Sequence, residues 1–422
     1  GGSVRYDYDT FGSLSGAVYG DGSCQWRNPD AMGNVYDSPD RTDRSYGRGG
    51  QLREDRKWRY YYDSHGNLVL KTIRRMGPSR NAEARDEFLA WQSGDYAYTW
   101  QGNGMLRSVT RPDGKTVTFR YDALGRRIEK VFDGRVYRYL WDGDVILHEW
   151  DYAEADRPNT IVTETGEVTL DRPEPVENLI TWVYNSDSYV PTAKIVGDRH
   201  YSIISDYIGR PVQAYDDKGN VVWQADYDIY GNIRNLYGSR QFIPFRQLGQ
   251  YEDEETGLYY NRFRYYDPRI GIYISQDPIG LAGNNPTLYG YVSDSNNRMD
   301  LLGLNKTSWW LHDSDGSLLD SGTMKPDPKA KTIPGRVGDS EQKILKTIET
   351  RHAGNLEGTK LTINSEPTFI KTPTGKSIKI EGIKPCDFCD ARMDEFAIKN
   401  KMQIEYNYRG KQVSYPKTKV CS

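Results

Sequence analysis

The sequence predicts a mostly β part followed by a smaller α/β domain built on a single sheet with helices. Tyrosine and glycine are abundant, with 33 and 41 copies against 10 phenylalanines, which favours short strands and turns. A phrase of Tyr-Asp, two residues and Gly recurs through the first 240 residues. The basic residues change from arginine to lysine near residue 304, which indicates two modules of separate origin.

The overall composition excludes several classes of protein. The chain has 422 residues, which suggests two or three units, and its formal net charge is −3. No run of about 18 apolar residues is present, as a membrane-spanning helix would require, and the mean hydropathy is −0.79. Four cysteines in this length exclude a fold built on disulfides.

The two modules carry opposite net charge. Residues 1–304 contain 30 Arg and 6 Lys against 44 acidic residues, a net charge near −8. Residues 305–422 contain 4 Arg and 16 Lys against 15 acidic residues, a net charge near +5. We expect the two parts to attract each other, and salt to screen that attraction.

The recurring phrase predicts a β-hairpin unit. Its Asp-x-x-Gly portion is a tight turn in which Gly supplies a positive φ, and the flanking residues alternate as strands do, for example over 116–121. One hairpin cannot bury its own apolar face, so the copies must stack into a continuous sheet. The clearest copies span 8–12, 62–66, 121–125 and 227–231.

A second sequence pattern, different from the repeats, begins at Gln247. It includes Ile274-Ser275-Gln276-Asp277-Pro278-Ile279-Gly280-Leu281 and Asp300-Leu301-Leu302-Gly303-Leu304. Ionisation of two carboxylates held close together is opposed by repulsion between their negative charges. One therefore stays protonated while the other acts as a base. Ordinary turn formation is the alternative interpretation of Asp277-Pro278 and Asp300.

The repeats and the pattern that begins at Gln247 together resemble the Rhs/YD-repeat family and its Rhs-associated core. The resemblance implies a hollow β-shell around a toxic C-terminal domain. It also implies self-cleavage after Leu304 by Asp277 and Asp300, with assistance from Arg264. Relatives usually have Pro where this chain has Leu301, and that departure predicts slower cleavage. The expected units are a repeat shell (1–246), an Rhs-associated core (247–304) and a toxin domain (305–422).

The sequence of the C-terminal module predicts several strands and two helices. The apolar spacing over 339–352 predicts one helix. Pro385-Cys386-Asp387-Phe388-Cys389 opens a second helix that ends near Asn400, and a hairpin around Arg409-Gly410 closes the chain. Two thiolates one helical turn apart at a helix N-terminus can hold one zinc ion.

This module resembles the zinc-dependent nucleic-acid deaminases found as bacterial toxin tips. The resemblance implies Zn²⁺ held by Asp339, Cys386 and Cys389, with Glu341 as the proton shuttle. The family usually has His or Cys at the first ligand position, where this chain has Asp339. The sequence around Asp339 is also typical of a capping box, in which Asp339 would be the N-cap residue of the helix. His352 is an alternative first ligand. A redox dithiol and a purely structural zinc site are alternative uses of the two cysteines.

The expected partners follow from charge and from the family. Lys376, Lys379 and Lys384 suit phosphate contacts at a pocket rim, although a solvated sheet face explains them equally well. The target would be cytosine, or alternatively adenine, in DNA or RNA. The resemblance further implies secretion into a target cell, a secretion apparatus or chaperone, and a cognate immunity protein. A nuclease toxin and a non-enzymatic YD-repeat surface protein are the alternative functions.

Overall fold

The computed structural model describes most of the first 303 residues and part of the rest. The described residues are 3–10, 13–74, 90–185, 188–278, 287–296, 298–303, 307–312, 318–324, 345, 348–349, 351–352, 356–357, 359–364, 368–371, 377–380, 393–394, 396–408 and 411–415.

One antiparallel sheet of sixteen strands dominates the repeat region. Its strands follow one another in chain order, from Ser45–Tyr46 at one edge to Ile233–Tyr237 at the other, except that Thr160–Val162 and Val168–Leu170 form a hairpin of their own. Each repeat therefore pairs with its predecessor and its successor, as the stacking argument predicts. The sheet contains Ser45–Tyr46, Leu52–Glu54, Trp58–Tyr62, Leu68–Ile73, Tyr96–Trp100, Leu106–Thr110, Thr116–Tyr121, Arg127–Phe132, Arg135–Asp142 and Val145–Ala153 (β6–β15), then Glu177–Tyr184, Pro191–Val196, Arg199–Ser205, Pro211–Tyr215, Val221–Tyr227 and Ile233–Tyr237 (β18–β23).

Smaller elements accompany this sheet. Two short 3-10 helices occupy Arg48–Gly50 and Glu154–Asp156. Residues 247–303, which we call the core segment, contribute a four-stranded antiparallel sheet of their own. The remaining strands of this part are Arg5–Tyr8, Leu14–Val18, Cys24–Trp26, Asn28–Pro29 and Val35–Tyr36 (β1–β5), Thr160–Val162 and Val168–Leu170 (β16, β17), and Tyr251–Asp253, Leu258–Asn261, Arg264–Asp267 and Ile272–Tyr273 (β24–β27).

The repeat turns have the predicted geometry. Gly66 has a φ of +78° and Gly125 a φ of +74°, values that a side chain rarely adopts. In the turn of residues 62–66, Oδ1 of Asp63 accepts the backbone N–H of His65 at 2.9 Å and that of Asn67 at 2.8 Å. The aspartate of the phrase therefore closes the turn through its side chain. In the copy at 8–12, the glycine lies outside the described residues.

The large sheet curves around the core segment. Sixteen strands laid flat would span about 70 Å. The side chain of Tyr251 nevertheless packs against two hydrophobic clusters, one that includes Leu68 and Val109 and another that includes Trp182 and Trp223. Lys71 in the strand Leu68–Ile73 contacts Asp267 at 3.1 Å, while the hydroxyl of the adjacent Tyr266 donates to the carbonyl of Tyr230, just after the strand Val221–Tyr227, at 2.8 Å. Two adjacent residues can reach strands this far apart in the sheet only if the sheet curves around them. The apolar core of this part therefore lies between the repeats and the core segment.

Two repeat glycines touch the core segment directly. A Cβ added to Gly125 would lie 2.7 Å from the ring of Phe263, and one added to Gly66 would lie 2.0 Å from Gln276. Tyr260 donates its hydroxyl to the carbonyl of Gly125 at 3.0 Å. At these positions glycine is required both for the positive φ and for the close approach.

Buried ion pairs also join the repeats to the core segment. Nζ of Lys71 lies 3.1 Å from Oδ2 of Asp267, and both side chains are 1% exposed. Arg127 contacts Asp253 at 2.5 Å, again with both side chains fully buried. Such pairs require their partners, because a lone charge in an apolar interior is strongly destabilising.

The C-terminal part forms a mixed five-stranded sheet with two helical segments. The sheet order is β29-β28-β30-β33-β34, and β30 runs parallel to β33. β33 and β34 form the hairpin predicted around Arg409-Gly410. The strands are Thr307–His312, Leu318–Met324, Lys360–Asn364, Thr368–Lys371, Ser377–Ile380, Gln403–Tyr408 and Lys411–Tyr415 (β28–β34), with β31 and β32 as a separate hairpin.

The two helical segments pack on the same sheet. Residues 345, 348–349 and 351 are helical within the predicted first helix, and residues 393–394 and 396–399 within the predicted second. Ile348 and Met393 share one buried cluster with Leu361 and Ile404 of the sheet. Among the residues that the structure describes, no helix is long and apolar enough to cross a membrane.

Candidate aspartate site

Two aspartates that are distant in sequence meet at one arginine. Arg264 is the first residue of β26, Asp277 lies four residues after β27, and Asp300 lies near the end of the core segment. Nη2 of Arg264 lies 3.0 Å from Oδ2 of Asp277 and 3.1 Å from Oδ2 of Asp300. The three residues predicted for self-cleavage are therefore side by side.

The site is buried. The side chains of Arg264 and Asp300 are each 1% exposed, and that of Asp277 is 2% exposed. The Arg264 guanidinium stacks on the ring of Tyr273, with a distance of 3.7 Å from Cζ to the ring centroid. Low polarity strengthens both the attraction of Arg264 to the two carboxylates and the repulsion between like charges.

Two neutral side chains that the sequence analysis did not single out complete the site. The hydroxyl of Tyr273 donates to Oδ2 of Asp300 at 2.9 Å. Nδ2 of Asn261 donates to that hydroxyl at 2.7 Å and to the backbone carbonyl of Asp300 at 2.8 Å. Burial, with a further contribution from Asp300, raises the pKa of Tyr273 well above its ordinary value. Tyr273 is therefore a neutral hydrogen-bond donor at any physiological pH.

The backbone that leads to residue 304 is fixed beside this site. Nε of Arg264 donates to the carbonyl of Gly303. The backbone N–H of Phe263 donates to the carbonyl of Leu302 at 3.3 Å. Gly303 has a φ of +65°, and a Cβ added to it would lie 2.6 Å from the carbonyl oxygen of Asn261. Leu304, the residue predicted to precede the scissile bond, lies outside the described residues.

Packing holds Leu301, the position where the family resemblance implies a proline. Leu301 is 3% exposed and lies in a cluster with Ile208, Leu248 and Met299. A Cβ added to Gly249 would lie 2.5 Å from the carbonyl oxygen of Leu301, so the two backbones are in close contact. Burial therefore constrains this residue without a proline ring, and slower cleavage stays a prediction.

The predicted zinc and nucleic-acid sites lie mostly outside the described residues. The backbone of Lys379 is described, in β32. Within the described parts of the chain, no three His, Cys, Asp or Glu side chains are grouped as metal ligands. The predicted residues outside the description are Asp339, Glu341, Cys386, Cys389, Lys376 and Lys384.

Comparison with known proteins decides the family. The teneurin YD-shell family matches residues 2–287, which is more than half of the chain. This chain belongs to that family. The predicted resemblance to Rhs/YD-repeat toxins is confirmed for the shell, and the deaminase assignment of residues 305–422 stays a prediction.

The curated relatives of this YD-shell protein include proteins named as toxins and one named as a probable deoxyribonuclease. It is 30% identical to "Probable deoxyribonuclease RhsA" of Dickeya dadantii over 74% of this chain and 20% of the relative. It is 32% identical to "Double-stranded DNA deaminase toxin A" of Burkholderia cenocepacia over 72% and 21%, and 32% identical to "Toxin protein Tse5" of Pseudomonas aeruginosa over 69% and 24%. The chain thus spans about a fifth of the length of these relatives.

Proposed function

We propose that this chain cleaves itself between Leu304 and Asn305 and so separates a toxin domain from its shell. One observation carries the proposal: Arg264 joins Asp277 to Asp300 and also holds the carbonyl of Gly303, next to Leu304. The site therefore combines a pair of carboxylates with a fixed backbone one residue away from the bond.

The reaction would be a general acid–base hydrolysis. The ionised carboxylate takes a proton from water, and the oxygen of that water attacks the carbonyl carbon of Leu304. The protonated carboxyl gives its proton to the amide nitrogen of Asn305 as the C–N bond breaks. The products are the carboxyl group of Leu304 and the free amine of Asn305. Arg264 stabilises the single negative charge that the pair carries.

Substitution of each aspartate tests this reaction. Expression of the full chain should give two fragments, separated after Leu304 by mass spectrometry. Asp277→Asn and Asp300→Asn should each leave one intact chain, since an amide can neither accept nor donate the required proton. Asp294→Asn is the matched control, because Asp294 is another buried aspartate of the core segment, 1% exposed. Cleavage of the Asp300→Asn variant at the wild-type rate would contradict the proposal.

We further propose that residues 305–422 form a zinc-dependent base deaminase. The similarity to a relative named as a double-stranded DNA deaminase toxin supports this proposal. The pattern Pro385-Cys386-x-x-Cys389 also supports it, because two thiolates and a carboxylate are suitable ligands for zinc. A zinc ion held by Asp339, Cys386 and Cys389 would acidify its bound water, and Glu341 would carry the proton from that water to the leaving amine.

The arrangement of the two helical segments is compatible with such a site. Each segment precedes one of the parallel strands β30 and β33, and both pack in the same cluster, so the segments run in the same direction. Nζ of Lys399 lies 2.5 Å from Oε1 of Glu349, which pairs the two segments side by side. The described parts of the two predicted helices are therefore neighbours.

The deaminase is tested in cells that express the full chain. We expect C-to-T changes in sequenced DNA or RNA, and their loss in Glu341→Ala. Glu349→Ala is the matched control, since Glu349 lies in the same predicted helix and its side chain is 47% exposed. A-to-G changes would make adenine the target base. Toxicity without any base change would contradict the deaminase.

A nuclease is the second candidate, because another relative is named as a probable deoxyribonuclease. A nuclease activity would fragment the nucleic acid of the expressing cells without base changes, and its toxicity would persist in Glu341→Ala. In either case we propose that the toxin is secreted into a target cell by a dedicated apparatus. A cognate immunity protein would then protect the producing cell.

A further inference from the structure

We propose that a cavity beside residues 301–302 holds the water that hydrolyses the bond between Leu304 and Asn305. The inference rests on the proposed self-cleavage and assigns the binding of that water to Gln250 and Arg262. The reaction consumes one water molecule. Its hydroxyl group joins the carbonyl carbon of Leu304, and its other proton reaches the amide nitrogen of Asn305 through the carboxylate pair.

Burial of the aspartate site creates the need for an internal water. The side chains of Arg264 and Asp300 are 1% exposed, and that of Asp277 is 2% exposed. Bulk solvent therefore has almost no direct contact with the pair in the folded chain. A hydrolysis at this site requires a water molecule that the protein itself holds.

A cavity of suitable size lies between the large sheet and the core segment. Its volume is about 50 Å³, which is enough for roughly three water molecules. Its wall includes Trp141 and Ile146 from the sheet, and Leu301 and Leu302 from the core segment. Two residues of extended chain span about 7 Å, so covalent geometry keeps Leu304 within that distance of Leu302. The cavity is therefore close to the proposed cleavage bond.

Gln250 contributes a buried amide group to this cavity. The residue is 1% exposed and lines the cavity wall. Neither its Oε1 nor its Nε2 has a hydrogen-bond partner among the residues that the structure describes. A buried amide that makes no hydrogen bond is destabilising, and in folded proteins such groups commonly bond to ordered water. This amide can both accept a hydrogen bond from water and donate one to it.

Arg262 lines the same cavity and adds a third polar atom. It is 7% exposed; its Nη2 lies 3.1 Å from Asp144 and its Nε donates to the carbonyl of Leu124 at 3.2 Å. Its Nη1 is buried and has no partner in the described part of the chain. A buried water needs two to four polar partners, and Gln250 and Arg262 together supply three.

Asn261, the residue before Arg262, brings a further acceptor to the aspartate site. Its Nδ2 donates to the backbone carbonyl of Asp300 at 2.8 Å. Since a carbonyl oxygen can only accept, this contact fixes which end of the amide is the nitrogen. Its Oδ1 is buried, and no described residue donates a hydrogen bond to it. Unsatisfied polar atoms therefore occur on two successive residues, one at the cavity and one at the aspartate pair.

The first experiment uses Gln250→Met, which keeps the size of the side chain and removes both polar atoms. Fragment formation is timed after cell-free translation of the full chain, and we expect it to be roughly tenfold slower. Stability is compared by urea unfolding in the uncleaved Asp300→Asn background. We expect no loss there, because the amide that is replaced has no described protein partner.

Gln224→Met is the matched control for this substitution. Oε1 of Gln224 accepts a hydrogen bond from Gln213 at 3.1 Å within the large sheet, and Gln224 does not line the cavity. We expect this variant to cleave at the wild-type rate. Equal rates for Gln250→Met and Gln224→Met would overturn the inference.

A crystal structure of the uncleaved Asp300→Asn chain tests the water directly and does not depend on the folding of Gln250→Met. We expect ordered water bonded to the side chains of Gln250 and Arg262. A well-ordered cavity without water would overturn the inference.

The outcomes separate this inference from the proposed self-cleavage. Slower cleavage by Gln250→Met together with a matching loss of stability would overturn the role of Gln250, because it would show a structural effect. Wild-type cleavage by Gln250→Met, with Asp300→Asn inactive, would overturn the cavity as the source of water and leave the aspartate pair intact. Cleavage by Asp300→Asn would overturn the self-cleavage proposal itself.

Discussion

At the scale of single residues, Gly303 determines how closely the chain approaches Arg264. Its φ of +65° is costly for any residue with a Cβ, and that Cβ would lie 2.6 Å from the Asn261 carbonyl oxygen and 3.1 Å from the Arg264 nitrogen. Both neighbours are backbone atoms of the site, so neither can move independently of it. Gly303 therefore lets the segment before the proposed cleavage bond lie against the aspartate pair.

We predict that Gly303→Ala slows self-cleavage by roughly 100-fold, because a displacement near 1 Å at a reacting group has about that effect. The measurement is the rate of fragment formation after the full chain is synthesised by cell-free translation. Gly197→Ala is the control, since Gly197 also has a positive φ of 56° but nothing lies within 4 Å of its added Cβ. Equal rates for the two variants would show that the approach at Gly303 is not required.

Some residues of this site could be predicted from the sequence, and others could not. Asp277, Asp300 and Arg264 could be predicted from the resemblance to the Rhs-associated core, and the structure places them together. Tyr273 could not be distinguished from the other tyrosines of the chain. Its role depends on a hydrogen bond to a residue 27 positions later, and no local pattern encodes such a contact.

At the scale of elements, buried ion pairs attach the core segment to the repeats. Lys71 of β9 is fully buried against Asp267 of β26. Burial alone would raise the pKa of Asp267, but Arg269 and Lys71 outweigh burial and hold that pKa below its ordinary value. Burial also lowers the pKa of Lys71, so its charge depends on Asp267. The pair thus makes the position of β26 depend on that of β9.

We predict that Asp267→Asn destabilises the shell by about 3–5 kcal/mol, since it leaves a buried lysine without its partner. Urea unfolding followed by tryptophan fluorescence gives the difference. The folded pKa of Asp267 is lowered, so its stabilisation is present above the unfolded pKa and is lost only as the pH falls through the lower folded value. Ionisation of Asp267 should therefore add no pH dependence to the stability of the wild-type chain between pH 7 and about pH 4.

An exposed aspartate provides the control for this prediction. Asp133 pairs with Lys115, and both side chains are more than half exposed. Asp133→Asn should change stability by no more than about 1 kcal/mol. If Asp267→Asn lowered the free energy of unfolding no more than Asp133→Asn does, the buried pair would not be what attaches β26 to the repeats.

The strands could be predicted from sequence far better than their partners. Alternation and Asp-x-x-Gly turns identify the hairpins, because both signals are local to each repeat. The contact of Lys71 with Asp267 spans 196 residues and exists only because the large sheet curves. Curvature results from the accumulated twist of many strands, and no single repeat encodes it.

At the scale of the whole molecule, cleavage would separate two parts of opposite charge, near −8 for residues 1–304 and near +5 for residues 305–422. The new C-terminus at Leu304 would remain with the shell, because the carbonyls of Leu302 and Gly303 accept hydrogen bonds from Phe263 and Arg264. Association of the fragments would then depend in part on attraction between opposite charges.

We predict that the two cleaved fragments elute together in gel filtration at 0.1 M NaCl and separate increasingly towards 1 M. The Debye length falls from about 10 Å to about 3 Å over this range, so long-range attraction between the parts is lost. The uncleaved Asp300→Asn chain is the control, since its elution should not depend on salt. Fragments that stay together at 1 M NaCl would show that apolar contact, and not charge, joins the toxin domain to the shell.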